Sequence, residues 1–146
     1  WGDPESNLTW QNPAAAETTQ WSAANQYCEN LVLAGCTDWR LPTIGELRSL
    51  IRGCPATEPD GNCNVGEGDC LEDSCLDPAC SGCTYDGGAA EGCYWPTGLE
   101  GICSWYWSSS AVEGGDEGAW YVAFDLALVG VSGVFVGYER HTRCVR

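Results

Sequence analysis

Residues 38–50 read DWRLPTIGELRSL, and the way this stretch folds decides the architecture around it. Pro42 stands directly before Thr43, and a residue that precedes proline is pushed out of the helical region, so Leu41 reads as extended. Thr43 followed three positions later by Glu46 is a capping box, in which each side chain satisfies the other residue's backbone N–H. The pattern predicts a helix opening at Thr43, with Leu47, Leu50 and Ile51 as its buried stripe and Gly53 with Pro55 stopping it. Ahead of the cap, Trp39 and Leu41 alternate towards the core. Arg40 points the other way, within reach of Asp38, Glu46 or backbone carbonyls. A planar, permanently charged fork suits several carbonyls or a carboxylate where chains cross. A tight, capped linker offers little concavity for a ligand, so residues 35–43 read as a structural fastening.

Upstream, Trp21, Ala24, Cys28 and Leu31 fall on one helical face, predicting a first helix capped by Thr18 or Thr19 and ended by Gly35. Downstream of residue 103 the hydrophobic period changes to two. WYWSSS, then AWYVAFDL with Trp120, Val122, Phe124 and Leu126 to one side, then VSGVFVGY and TRCVR read as antiparallel strands. Two helices, an irregular middle and a terminal antiparallel sheet make an α+β domain.

That middle is the chain's oddest part. Residues 54–103 hold eight of the eleven cysteines, ten acids and no base, with many glycines and no regular period. Such a stretch cannot bury enough apolar surface unaided, and reads as a disulfide-laced insertion. Its eight cysteines can pair among themselves in 105 ways. Zinc is disfavoured, because only Cys80 and Cys83 have knuckle spacing and the sole histidine, His141, lies far along the chain. Sulfur at this density implies an oxidising compartment, hence a secreted or cell-surface protein. An odd count leaves at least one thiol free or bonded to another molecule.

At 146 residues the chain fits a single domain, 1–146, able to bury roughly 70% of its unfolded surface. No apolar run approaches the ~20 residues of a membrane helix. Trp1 in place of Met, with no signal peptide in view, reads as a mature or excised piece of a larger precursor. Twenty-one acids stand against six bases, all arginine, for a net charge of −15. That charge repels phosphate backbones and anionic membranes, which excludes nucleic acid as an expected partner.

One set of motifs is specific. LTWQ, then W-x-x-A-x-x-Y-C-x-x-L, G-x-x-DWRLPT-x-x-EL-x-SL, YWSSS, AWYVAF and a final RCVR resemble the C-terminal domains of bacterial collagen-like surface adhesins, the Lcl C-terminal domain family. The match covers residues 7–51 and 104–146 in order, while the acidic, cysteine-rich stretch departs from the family's shorter connection. The resemblance implies a fold similar to C-type lectins and to the formylglycine-generating enzyme. It also implies termini side by side and a bridge from Cys28 to Cys144, closing a loop of more than a hundred residues. Cys36 then becomes the candidate odd thiol, although it could equally join the insertion.

The function implied is adhesion or recognition, with a glycan or cell-surface protein as partner, and with homo-oligomers or a fibre neighbour as further partners. Lectin-like folds bind through loops and the exposed face of the last sheet. Here that predicts a patch of Tyr106, Tyr121, Asp125, Tyr138, Arg140 and His141, where aromatic faces stack on sugars and arginine grips an anion. Calcium is the candidate cofactor. Glu58, Asp60, Asn62, Asn64, Glu67 and Asp69 supply hard oxygen donors, with Asp60, Asn62, Asn64 and Asp69 as the named set. An EF-hand alignment from Asp60 fails, because Val65 takes the glycine position and Leu71 the glutamate position. EPD at 58–60 echoes lectin sugar-specificity tripeptides, without their W-N-D partner. An enzyme is not expected: the reactive cysteine pair of the formylglycine-generating relatives is reduced here to Cys144, and no nucleophile or paired-carboxylate motif appears. The alternative role is a structural subunit of an extracellular fibre, cross-linked through the odd cysteine.

Overall fold

The C-terminal residues lie between two other pieces of chain. In the computed structural model, which describes residues 1–66, 68, 70–114, 117–134 and 137–146, Thr9 and Arg146 exchange backbone hydrogen bonds of 2.9 Å in both directions. On the other edge, Val145 does the same with Arg40, again at 2.9 Å. TRCVR is therefore not a strand of the sheet. It pairs through isolated antiparallel bridges to Trp10 and Arg40, and its two edges are taken by the N-terminal segment and by the DWRLPT linker.

The linker is built as its residues require. Trp39 and Leu41 are buried, while Arg40 forks onto Glu46, with Nη1–Oε2 at 2.7 Å and Nη2–Oε1 at 2.5 Å. Asp38 turns instead to Arg146, at 2.9 Å. The capping box is complete: Glu46 N–H donates to Thr43 Oγ1 and Thr43 N–H donates to Glu46 Oε2. Helix α2, Ile44–Arg48, is shorter than the sequence pattern suggests. Leu50 and Ile51 are fully buried, but in the turn beyond the helix.

Helix α1 spans Trp21–Glu29 and buries Ala24 and Cys28. Its N-cap is Gln20, not Thr18 or Thr19, and it lacks a side-chain cap. Thr19 is committed elsewhere, because its N–H and C=O both bond Arg140. Gly35 does not end the helix either. Ala34 and Gly35, with φ of 53° and 78°, make the two-residue turn of a small hairpin between Leu33 and Cys36. Two positive φ values in succession give the reversal that suits a tight hairpin.

Three antiparallel strands form one sheet in the order β1 (Trp105–Ala111), β2 (Gly118–Ala123) and β3 (Leu128–Gly133). The architecture is α+β and rich in disulfides. β2 ends at Ala123, three residues before the expected Leu126, and β3 begins earlier than VSGVFVGY implies; Phe135 and Val136 lie outside the described residues. Trp120 and Val122, with Phe124 just past the strand, enter the core shared with Ile44, Leu47 and the middle segment. The opposite face, expected to be exposed, is covered as well. Tyr121 and Ala123 pack with Trp107, Trp39, Leu41, Ala24 and Cys28, because α1 and the linker lie across them.

Residues 54–103 do more than hang from this frame. Cys54, Cys63, Val65, Tyr94, Trp95 and Leu99 are buried in the main core. Four bridges close within the segment, joining Cys54 to Cys83, Cys63 to Cys80, Cys70 to Cys75 and Cys93 to Cys103. A fifth joins Cys28 to Cys144, the pair the resemblance implies, and Cys36 is free. Among the described residues no helix is long and apolar enough to cross a membrane. The Cys28–Cys144 bridge spans 116 residues. On chain entropy it contributes about 4 to 5 kcal/mol. A Cys28→Ser, Cys144→Ser double variant should lose most of that in urea unfolding, whereas Cys36→Ser should change stability by less than about 0.5 kcal/mol. Equal stability of the double variant and the parent would show that the clasp is not what holds the ends.

Candidate functional site

β1 begins Trp-Tyr-Trp, and the alternation of a strand sends Trp105 and Trp107 to one face and Tyr106 to the other. Tyr121 pairs with Trp107 across β1 and β2, and Gly130 pairs with Tyr121 on the far side. The glycine matters: a Cβ there would lie 2.6 Å from the Tyr121 hydroxyl, so the ring can fold down over β3 only because none exists. Trp105 stacks on Tyr121, with centroids 5.2 Å apart and planes within 10°, and Trp107 meets Tyr121 edge-on at 6.5 Å.

Arg140 sits among these rings. Its backbone is fixed to Thr19 by two hydrogen bonds of 2.9 and 3.0 Å, and Thr19 O also accepts from the Trp107 indole at 2.8 Å. Its guanidinium carbon lies 4.2 Å from the Tyr121 centroid, 4.7 Å from Trp107, 5.0 Å from Trp105 and 5.6 Å from Tyr138. Ring faces carry partial negative charge, so each attracts the cation, and more strongly where water is displaced. Burial pulls Arg140 below the usual arginine value, against the pull of the Tyr121 and Tyr138 phenols; burial likewise pushes the Tyr121 phenol up, opposed by the Arg140 charge. Arg140 is 7% exposed, whereas Trp105 is 37% and Tyr138 54% exposed. The arrangement is a cation with aromatic walls that reach solvent.

The sequence matches the model of the Lcl C-terminal domain family over residues 2–146. The chain belongs to that family. No curated protein and no solved structure matches it.

In this Lcl C-terminal domain the six residues expected to form one patch do not meet. Tyr121, Tyr138 and Arg140 come together. Tyr106 is fully buried on the other face of the sheet, edge-on to Trp95 and Phe124 at 5.9 and 5.7 Å, with its hydroxyl donating to Ile102 O. His141 follows it there, 5.5 Å from the Tyr106 ring, and is buried where a surface position was expected. Asp125 lies past the end of β2, facing the Trp105 indole; burial, with the Asp86 charge adding, pushes its carboxyl up against that hydrogen bond. Trp105 and Trp107 are the contributors not foreseen, although the period-two reading of WYW places them on Tyr121's face.

Asp60, Asn62 and Asn64 are exposed, and Asp69 and Glu67 lie outside the described residues. Asp60 borders an open groove of about 630 Å³ with Asp3, Glu5, Arg52 and Glu58. Most of those groups are already engaged: Arg52 pairs with Glu5 at 2.9 Å, Glu58 accepts from Gly53 N–H at 2.7 Å, and Asp3 accepts from Ser6 at 2.6 Å. No group of three or more His, Cys, Asp or Glu is arranged to hold a metal among the described residues.

His141 offers a test of the packing around the patch. Its Nδ1 is buried without a hydrogen-bond partner. Burial holds the imidazole below its ordinary value of 6.5, with the Ala15 backbone opposing. The unfolded chain therefore takes up the proton first as pH falls. Stability from this group should be level above about pH 6.5 and should drop below it, until the folded imidazole itself protonates. Urea midpoints measured from about pH 7.5 to about 5.5 should show that decline in the parent and a flatter profile in His141→Gln. Identical profiles would assign the decline to other groups.

Proposed function

We propose that this domain is an extracellular recognition module of a bacterial surface adhesin, secreted or displayed at the cell surface, which binds a glycan or a cell-surface protein. Its two helices, single antiparallel sheet and clasped ends are those of a C-type-lectin-like fold of the kind shared with the formylglycine-generating enzyme. The observation that carries the reading is the partly exposed Trp105 and exposed Tyr138, both lying against Arg140. Exposed aromatic faces beside a cation suit ligands with C–H surfaces and polar edges. Five disulfides support an oxidising compartment, and recognition of this kind calls for no reactive residue.

A second reading has its own support. Cys36 is free and partly exposed, and the same small hairpin carries Val32 at 69% exposure and the exposed Leu33. A structural subunit cross-linked to a neighbour through Cys36, in a fibre or a homo-oligomer, would use that tip.

Glycan-array binding with purified chains separates the two. Retained binding to discrete sugars, lost in Tyr138→Ala and Trp105→Ala but kept in Cys36→Ser, is the expected result. Non-reducing gels showing a disulfide-linked dimer that vanishes in Cys36→Ser, together with arrays blank for the parent, would replace the first reading with the second.

A further inference from the structure

Most arginines in this chain end on oxygen. Arg40, Arg52 and Arg146 pair with Glu46, Glu5 and Asp38. Arg48 donates to the carbonyls of Thr57, Glu58 and Val65, and Arg143 to those of Gln11 and Glu100. Arg140 differs. Like Arg143 it has no carboxylate within ion-pair distance among the described residues, and its buried Nε has no hydrogen-bond partner. Unlike Arg48 and Arg143 it donates to no backbone carbonyl among those residues. Its polar neighbours are the phenols of Tyr121 and Tyr138. Two acids near it do not reach it: Glu139 accepts from Thr18 at 3.2 Å, and Asp125 faces the Trp105 indole with its Oδ1 buried and unpartnered.

In a chain with 21 acids, a buried cation left with neither a carboxylate nor a backbone carbonyl is conspicuous. A guanidinium removed from water and met by π faces and a phenol oxygen keeps N–H capacity for an anion, its Nε included, and a carboxylate matches its fork. We propose that Arg140 is the anion-binding residue of a carboxylate subsite, and that its ligand is a sugar acid bearing a single carboxylate. The carboxylate sits at the guanidinium edge between Trp105 and Tyr138, and the C–H face of the sugar ring lies on one of those two rings. The net charge of −15 selects against polyanions, since each further negative charge on a ligand meets the field of the whole body. The exposed ring faces favour a sugar over a peptide C-terminus, because they supply flat contact for ring hydrogens in addition to a grip on the anion.

This assignment rests on the recognition reading above, and the test keeps the two apart. The probes are the methyl α-glycoside of N-acetylneuraminic acid, its neutral methyl ester, methyl galactoside, and an acetylated tripeptide with a free C-terminal carboxylate. Each is titrated into the purified chain and followed by tryptophan fluorescence and NMR. The acid should bind, the ester at least about tenfold more weakly, and Arg140→Gln should lose a similar factor for the acid while leaving the ester unchanged. Tyr138→Ala should weaken both. Near-UV circular dichroism and disulfide mapping report whether each variant folds. Should Arg140→Gln not fold, the acid-to-ester ratio in the parent and in Arg140→Lys decides, because lysine keeps the charge and loses the fork. Equal binding of acid and ester, or tighter binding of the tripeptide, overturns the subsite. Binding of galactoside through Tyr138 with no gain for the acid overturns the subsite and leaves the recognition reading standing. Absence of binding by all the sugar probes overturns the subsite, while the glycan array decides the recognition reading.

Discussion

The constraint on which the structure depends is the placement of residues 143–146 between two chains that are far away in sequence. Backbone bonds fix Val145 to Arg40 on one edge and Arg146 to Thr9 on the other, and the Cys28–Cys144 bridge ties the same segment to α1. Three regions that share no local contact are thereby held at one place. The Arg143 guanidinium adds a fourth, because it reaches Gln11 O and Glu100 O, each at 2.8 Å, and so joins the end of the chain to the tail of the middle segment. The patch is a consequence. Arg140 and His141 are set against Thr19 and β1 because the residues that follow them are anchored, and parallel pairing of His141 with Tyr106 sends the two side chains to opposite faces of the sheet.

The middle segment shows a different solution to stability. It carries no base of its own and is rich in glycine, and among its described residues only two short 3-10 turns, Asp73–Cys75 and Pro78–Ser81, give it regular structure. Four internal bridges hold it, and they close short loops, where chain entropy gives less per bond than the long clasp does. Arg48 compensates from outside. Buried at the end of α2, it donates to the carbonyls of Thr57, Glu58 and Val65, so a single guanidinium ties two places in the segment together. Buried carbonyls left without donors would each cost roughly 1 to 3 kcal/mol, and this is how that cost is avoided. The segment in return contributes Val65, Tyr94, Trp95 and Leu99 to the core, so frame and insertion stabilise each other.

Much of this was legible in the residues, and the boundary between what was and was not is physical. The capping box at Thr43, the alternation of Trp39, Arg40 and Leu41, and the period-two stretch from Trp105 are local signals, and the structure carries all three. The strand ends and the first helix cap were not legible, because tertiary partners settle them: Thr19 can cap α1 or pair with Arg140, and it pairs with Arg140. The covered face of the sheet was missed for the same reason. Alternation says which side chains share a face, but whether Tyr121 meets water depends on where α1 and the linker are laid down. The cluster around Arg140 shares Tyr121 and Tyr138 with the expected patch and differs from it in its other members. Tyr106 and His141 are as aromatic and as near in sequence as Trp105 and Tyr138, and only strand parity and the His141–Tyr106 pairing place them behind the sheet.

The arginines then sort by what a guanidinium can satisfy. At exposed positions, Arg52 and Arg146 make single ion pairs, which contribute little each. Where chains cross, Arg48 and Arg143 serve carbonyls, which need donors but bring no charge, so the cation's own desolvation is only partly offset; burial pulls Arg143 below the usual arginine value accordingly. Arg140 lies at the far end of this series, surrounded by rings that offset its charge and satisfy few of its N–H groups. A structural fastening gains from carbonyl acceptors, as Arg143 does three residues further on. Aromatic walls stabilise the charge while leaving Nε without an acceptor. That combination costs stability relative to a carbonyl clamp, and it is the arrangement expected when the remaining bonds are to be made by something outside the chain.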